Sequence, residues 1–569
     1  MGIFDYKSMK GEQGKALLND ALALSKYAYD STGKPLATGG WAPIGANALG
    51  VTEHVDKQGT FWGETALAGS ANVEVLGQYD SAGKLVAIGI AFRGTSFGLT
   101  LDGLGDVASD LAAAILPGYA TDYAKLAFNT LLGNVADYAS NQGLTGKDIL
   151  VTGHSLGALG ANSLATLSHD HWDGFYRDAN YVTFASPTQR SGDTQVLNIG
   201  YENDPVFKAI DGKGISTSAL LWGNDRAWDS AANNLVSFTD NYASASAHFP
   251  NSLNWGVAKA HYLEGYNHGL SRIAASDFYD LTSKDSTIVV SSLSDAALGT
   301  TWVQDLNRYA EKHTGNTFII GTEGDDLLQG GAGNDFLEGG AGNDRFRDDG
   351  GYNIVLGGKG DNIFELQKAL TTFSFANDGD GTLYINDAYG GISMTRDIGA
   401  LVSKEASYIP WTSIPWGSHD ITYQVTSNGL LAGTDLTQYA ASAKGDTGDN
   451  VLTAHTAGDW LFGLGGDDHL IGGQGNNVFV GGAGNDLMVS GGASNTFLFS
   501  GVFGNDRIEG YQASDKLVFM GIQGLGQDYD YRSHASTVED NTLLSFGDNS
   551  VLLVGVGITQ LNGAGIFIS

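Results

Sequence analysis

The pentapeptide Gly153-His154-Ser155-Leu156-Gly157 is a place in the chain where residue types and spacing imply a reaction. It follows Asp148-Ile149-Leu150-Val151-Thr152, a run that reads as a buried strand, and precedes Ala158 to Leu167, which reads as a helix. A G-x-S-x-G between strand and helix is a nucleophile elbow. Its glycines allow a sharp turn that exposes the serine Oγ at the carboxyl edge of a sheet. The backbone N–H of Leu156, at the helix start, is then placed for an oxyanion. The chemistry this implies is nucleophilic attack by Ser155 on an acyl carbonyl.

Such a serine needs a base and an orienting acid, in chain order Ser, Asp/Glu, His. Val196 to Glu202 reads as the next-but-one strand after the elbow, following Tyr181 to Ser186, and ends in Asn203-Asp204-Pro205. An acid is expected just past a strand end, which favours Asp204. Asp211 is the rival, and Asp193 is poorer because it precedes the strand. His248, His261 and His268 all lie downstream, and position alone does not choose among them. Arg93-Gly94-Thr95-Ser96 follows the strand-like Val86 to Phe92 and is the natural source of a second oxyanion N–H, from Gly94 or Thr95.

A second chemistry begins near residue 320, where a nine-residue period takes over. Residues 321–365 and 445–498 repeat G-G-x-G-x-D-x-U-x, the calcium-binding parallel β-helix signature. The glycines permit tight turns. Place six carries Asp326, Asp335, Asp344, Asp459, Asp468 and Asp486, whose carboxylates join turn carbonyls as oxygen ligands for Ca2+. Place eight is apolar (Leu328, Leu337, Phe346, Leu461, Leu470, Phe479, Met488) and is expected to point into the roll. Asn353, Asn362, Asn477 and Asn495 replace Asp at place six, so those turns are expected to bind calcium weakly or not at all. Between the blocks, 366–444 reads as strands and turns, and further strand-like runs follow 499.

The whole chain agrees with a calcium-binding role. Its 569 residues hold 30 Lys+Arg against 63 Asp+Glu, a net charge of −33, which argues against a nucleic-acid partner and for a cationic one. Glycine is 82 residues and proline only 8, so the chain is neither collagen nor a proline-rich linker. With no cysteine there is no disulfide, thiolate zinc site or cysteine nucleophile. None of the 12 histidines is followed by glutamate, so no H-E-x-x-H protease motif exists. The N-terminus lacks a charged region followed by an apolar run, so no signal peptide is expected, and no apolar run is long enough for a membrane span.

The segments FRGTS (92–96), GHSLG (153–157), GYENDPVFKAIDG (200–212), FYDLTSKDST (278–287), TWVQDLNRYAEKHTGNTFIIG (301–321), both repeat blocks and VLLVGVG (551–557) together resemble bacterial lipase family I.3, a group that also contains polyurethane-degrading esterases. The resemblance covers essentially the whole chain. It implies an α/β-hydrolase catalytic domain with a lid over residues 1–315. An all-β domain with two calcium-binding parallel β-roll blocks and a C-terminal secretion signal would follow over 316–569. The implied protein is a secreted, extracellular, monomeric serine carboxylester hydrolase, exported by an ABC-type system and acting on lipid or polymeric ester at an interface. A phospholipase on the same triad is an alternative. A structural roll protein with an inactive hydrolase domain is a more distant one, against which intact Ser155, Asp204 and His261 argue.

Carried over residue by residue, the resemblance puts the nucleophile on Ser155, the acid on Asp204 and the base on His261. The family's Ser-His-Leu-Pro run is here Ala260-His261-Tyr262-Leu263, so the match is imperfect and His268 stays in reserve. It also implies calcium in the catalytic domain. A lid site would use Asp102 and Asp106, with Ser96 and Asn72 as weaker contributors, and a structural site would use Asp285 with Asn233 or Asn234. The larger relatives carry a long insertion bearing a first lid, whereas here only Asp30 to Gly39 leads to Gly40-Trp41-Ala42-Pro43-Ile44. A second lid is expected around Phe97 to Leu116, where Leu and Val alternate with Asp102, Asp106 and Asp110 in an amphipathic pattern.

Overall fold

The computed structural model describes residues 2–65, 71–94, 118–187, 194–202, 204, 235–239, 261–305, 316–409, 411, 413, 415–455, 458–492, 494–523, 530–561 and 565–568. Two compact units divide the chain: residues 2–275 with 283–285, and 276–282 with 286–569. The second begins earlier than the boundary at 316 read from the onset of the repeats. The cause is that Thr287–Ser292 and Trp302–Val303, which carry no repeat, already run parallel to the strands Thr317–Ile320 and Leu327–Gln329.

In the first unit, α1 (Glu12–Asp30) places Leu18, Ala21, Leu22, Ser25 and Ala28 on one buried face. The strands β1 (Trp41–Pro43), β2 (Phe61–Trp62), β3 (Asn72–Tyr79) and β4 (Leu85–Phe92) precede α2 (Tyr119–Asn141). Then come β5 (Ile149–His154), α3 (Leu156–Leu167), β6 (Asn180–Phe184), β7 (Val196–Ile199) and α4 (Leu263–Ala275). The sheet order is β1-β3-β4-β5-β6-β7, with β2 also on β3. β3 to β4 is antiparallel and β4 through β7 are parallel. Every residue of β5 is buried, as a central parallel strand covered on both faces requires. α3 is nearly all small and apolar, which lets it sit close to the sheet. A Cβ on Gly160 would meet the Phe92 ring at 2.9 Å. Among the described residues no helix is long and apolar enough to cross a membrane.

In the second unit two nonapeptides make one coil. Strands pair in parallel with an 18-residue offset, as Leu337 with Val355 and Leu470 with Met488. Alternate repeats therefore build opposite sheets, and place eight fills the space between them. Leu328, Leu337, Phe346, Leu461, Leu470, Phe479 and Met488 are all fully buried. The second roll continues beyond 498: Asn505–Glu509 pairs with Leu487–Val489, and Lys516–Met520 with Thr496–Ser500. The two rolls share a core in which Tyr352, Tyr384 and Ile392 pack with Trp460, Phe462, Leu498 and Met520.

Candidate active site and calcium turns

The elbow is built by β5 running directly into α3. Ser155 has φ 59° and ψ −127°, a region non-glycine residues seldom adopt. Its N–H donates to the Phe184 carbonyl at 3.0 Å, which ties the strained residue to β6. The flanking glycines are required by close approach. A Cβ on Gly153 would lie 2.4 Å from the Gly157 backbone, and one on Gly157 would lie 2.1 Å from the Phe92 carbonyl oxygen.

Ser155, His261 and Asp204 are each buried and form one hydrogen-bonded chain. His261 Nε2 lies 3.0 Å from Ser155 Oγ, and its Nδ1 lies 2.9 and 3.0 Å from the two Asp204 carboxylate oxygens. Asp204 follows β7 in a turn closed by its N–H on the Tyr201 carbonyl at 3.0 Å. His261 immediately precedes α4. His268 points outward from that helix and is exposed. Asp193, Asp211 and His248 lie outside the described residues.

Leu156 and Gly157 open α3, where backbone N–H groups lack intrahelical acceptors. Gly94 runs alongside: a Cβ there would meet Ser155 Cβ at 3.1 Å and the His154 carbonyl oxygen at 2.4 Å. Backbone thus borders Ser155 from α3 and from the end of β4. Thr95, Ser96, Asp102, Asp106, Asn233, Asn234 and the expected lid, Phe97 to Leu116, lie outside the described residues. Asp285 is exposed in the loop before Thr287, and Asn72 opens β3 half-buried.

Three supporting residues escaped the motif reading. Tyr266 Oη, on α4, donates to Asp204 Oδ2 at 2.7 Å. His154 is enclosed between Tyr29 Oη, 2.9 Å from Nδ1, and the His261 carbonyl, 2.7 Å from Nε2. A carbonyl only accepts, so His154 Nε2 carries the proton and Nδ1 accepts from Tyr29. His154 therefore grips the backbone of His261. It sits inside the pentapeptide, a signal the sequence offered, whereas nothing in spacing marks Tyr29 or Tyr266.

Both supports lead to predictions. Tyr266→Phe removes a hydrogen bond to a charged acceptor, a class worth about 1.5–3 kcal/mol. The expected result is a fall in kcat of roughly 10- to 100-fold with KM little changed, read from steady-state hydrolysis of a soluble ester. Burial, followed by the neighbouring His261, pushes the His154 pKa down to about 3. The unfolded chain binds that proton near pH 6.5. Stability from neutral His154 is thus complete above about pH 6.5 and declines by up to about 1.4 kcal/mol per pH unit as pH falls toward 3. Unfolding midpoints in calcium buffer should drop more steeply for wild type than for His154→Gln; equal slopes would exclude His154 as the titrating group.

The place-six carboxylates show how the roll fits a cation. In Asp344, Asp468 and Asp486 one oxygen links coils. Asp326 N–H donates to Asp344 Oδ1 and Asp468 N–H to Asp486 Oδ1, both at 2.8 Å. The other oxygens of Asp344, Asp468 and Asp486 are buried without any hydrogen-bond partner. Asp506, one coil further on, shares this arrangement, accepting from Asp486 N–H at 2.8 Å with its Oδ2 unpartnered. Burial raises the carboxyl pKa of Asp344 to about 7, of Asp486 to about 6 and of Asp506 to about 8. Glycine leaves room beside these oxygens: a Cβ on Gly463 or Gly481 would come within 2.2 or 2.1 Å of them.

Among the described residues no three acidic or histidine side chains converge. Backbone carbonyls would therefore have to complete the six to eight oxygens that calcium takes. Asp326, Asp335 and Asp459 differ, because their Oδ2 accepts a turn N–H four residues earlier, at 2.6 Å in each case. The asparagines differ further. Asn362 Nδ2 donates to the carbonyls of Gly358 and Asp397, and Asn495 Nδ2 to that of Gly492, so an amide NH2 fills turns where a cation would otherwise sit.

A parallel-centred sheet with a serine elbow, joined to calcium rolls, defines an α/β-hydrolase of the repeat-bearing kind. Residues 313–346, 338–366, 442–470, 454–488 and 462–497 match the RTX calcium-binding nonapeptide repeat (4 copies). A lipase of Pseudomonas fluorescens is 47% identical over 377 residues, 57% of this chain and 79% of the relative. A second lipase of that species is 43% identical over 380 residues, 57% of this chain and 84% of the relative. The crystal structure of the extracellular lipase LipA from Serratia marcescens superposes with TM-score 0.90 at 44% identity, covering 100% of both chains. The chain belongs to the calcium-dependent, repeat-containing bacterial lipases of family I.3. It is a carboxylic ester hydrolase whose repeats bind several calcium ions.

Proposed function

We propose that Ser155 is the nucleophile of a secreted triacylglycerol lipase or esterase, with His261 as its base and Asp204 as the orienting acid. The observation that carries this reading is the unbroken chain from Ser155 Oγ through the His261 ring to both Asp204 oxygens. Ser155 attacks the ester carbonyl as His261 Nε2 takes the hydroxyl proton. Buried Asp204 stabilises the imidazolium that forms. The N–H of Leu156 and an N–H of Gly94 or Thr95 hold the oxyanion. His261 then protonates the departing alcohol. Water, activated by the same imidazole, cleaves the acyl-Ser155 ester and regenerates the hydroxyl.

The calcium rolls support release into a calcium-rich exterior, and the absence of cysteine suits a chain exported unfolded by an ABC-type system. Only residues 31–40 join α1 to β1, which supports an open site that favours short or polymeric esters. The test is covalent trapping with a p-nitrophenyl phosphonate ester. One adduct, mapped by mass spectrometry to Ser155 and absent from Ser155→Ala, is expected. An adduct on another residue, or inactivation without an adduct, overturns the assignment. Faster cleavage of long-chain triglyceride than of short-chain esters would defeat the open-site reading.

A further inference from the structure

One projection of the roll unit has no role in the catalysis or calcium binding described above. Strands Ala400–Tyr408 and Pro415–Thr426 form an antiparallel hairpin. At its base Ala400 to Ser403 pair with Ile363 to Leu366, and Gln424 to Thr426 pair with Leu431 to Gly429. From Ala406 to Tyr408 and back from Pro415 to Ser418 the two strands pair only with each other among the described strands. This leaves a two-stranded arm of roughly 10 Å beyond the sheet.

The arm ends in large apolar side chains. Trp411 is fully exposed at 103%, Trp416 at 74% and Tyr408 at 55%, with Ile409 beside them at 40%. Monomeric proteins bury side chains of this size or scatter them singly. Here they occupy a nine-residue stretch. Residues 406–417, ASYIPWTSIPWG, include no charged side chain, on a chain of net charge −33. Lower on the arm, Lys404 faces Asp420 and Glu405 faces His419 across the strands, so the charges there stay near balance.

We propose that this hairpin is a lipid-surface anchor that inserts Trp411, Trp416 and Tyr408 into the polar–apolar boundary of an uncharged or zwitterionic lipid. Tryptophan and tyrosine combine an apolar ring with a polar edge and settle at that boundary. An uncharged tip can enter it without stripping water from an ion. The charge of the remaining chain selects against strongly anionic surfaces. The anchor acts apart from the triad, so it is testable in a protein that cannot turn over.

The experiment uses the full calcium-loaded chain carrying Ser155→Ala. Because the chain has no cysteine, Ser413→Cys supplies a single thiol for an environment-sensitive nitrobenzoxadiazole label. Ser536→Cys, on the exposed strand Ala535–Val538, is the control position. Phosphatidylcholine vesicles are expected to blue-shift the label at 413 and not at 536. The double variant Trp411→Ser/Trp416→Ser is expected to bind the vesicles at least 10-fold more weakly by flotation. In the Ser155 background it should hydrolyse a soluble short-chain ester at the unaltered rate. Unchanged vesicle binding by the double variant, or no shift at 413, overturns the proposal. So does a shift at 413 that grows with protein concentration without lipid, which would mark the arm as a contact between copies of the chain.

Discussion

Alanine at position 155 is expected to lower kcat/KM on a soluble ester by about 10⁴- to 10⁶-fold, the range seen when the nucleophile of an acting triad is removed. The effect is large because in the proposed mechanism the side chain supplies the covalent bond, and neither His261 nor the backbone donors can replace it. The fold should be unaffected. The elbow is held by the Ser155 N–H on Phe184 O and by the glycines packed around it, all of which alanine retains. Asp204→Asn is expected to cost less, at most about 10⁴-fold, since the imidazole remains but in a disfavoured tautomer. Initial rates with purified calcium-loaded protein measure both. Retention of more than a hundredth of the activity in Ser155→Ala would remove Ser155 from the reaction.

Chelation of calcium is expected to abolish the ordered β structure of residues 287–568. The unpartnered oxygens of Asp344, Asp468, Asp486 and Asp506 are stacked along the coil edges, one per coil. Each is the open oxygen of a buried carboxyl group, with no hydrogen bond or counter-charge of its own, which a folded protein sustains only by keeping the proton or binding a cation. A bound cation at 100 times its dissociation constant contributes about 2.7 kcal/mol per site, and several sites together exceed the stability of an ordinary domain. Far-UV circular dichroism should lose its β signal in EGTA and regain it over a cooperative calcium titration. Substituting Asp486 with Ala should shift that titration to higher calcium. A roll that keeps its circular dichroism and protease resistance in EGTA would contradict this account.

Much of this was legible from residue order because the two chemistries are written locally. The elbow needs Gly153, Ser155 and Gly157 within five positions, and the roll repeats its instruction every nine. What local pattern cannot carry is convergence. His248, His261 and His268 are equivalent in chain order, and only the turn entering α4 places the His261 ring between Ser155 and Asp204. Tyr29 lies 125 positions from the His154 it touches. The end of the roll was obscured differently. Gly501-Val502-Phe503-Gly504-Asn505-Asp506 retains too little of the glycine pattern to extend the block, yet Asp506 and buried Ile508 hold places six and eight. The spacing there is 20 rather than 18, which hides the period from a fixed window. Thr287–Ser292 carries no trace of the repeat because pairing in a parallel sheet needs β-branched residues and backbone groups, not the repeat itself.

The side-chain ladders run both ways between coils. Asp468 N–H donates forward to Asp486, while Asn485 N–H donates back to Asp467. Each junction is therefore complementary to every other of its kind, as layers are in a crystal that grows along a single axis. Length in such an object is quantised. Gaining or losing eighteen residues would close the ladders again on equivalent neighbours. Nine would interchange the two sheets for everything downstream, sending Leu517 and Phe519 to the opposite wall. Descendants of this chain should thus differ in roll length by even numbers of repeats, with odd remainders confined to the turns, as the two extra residues before Asp506 already are.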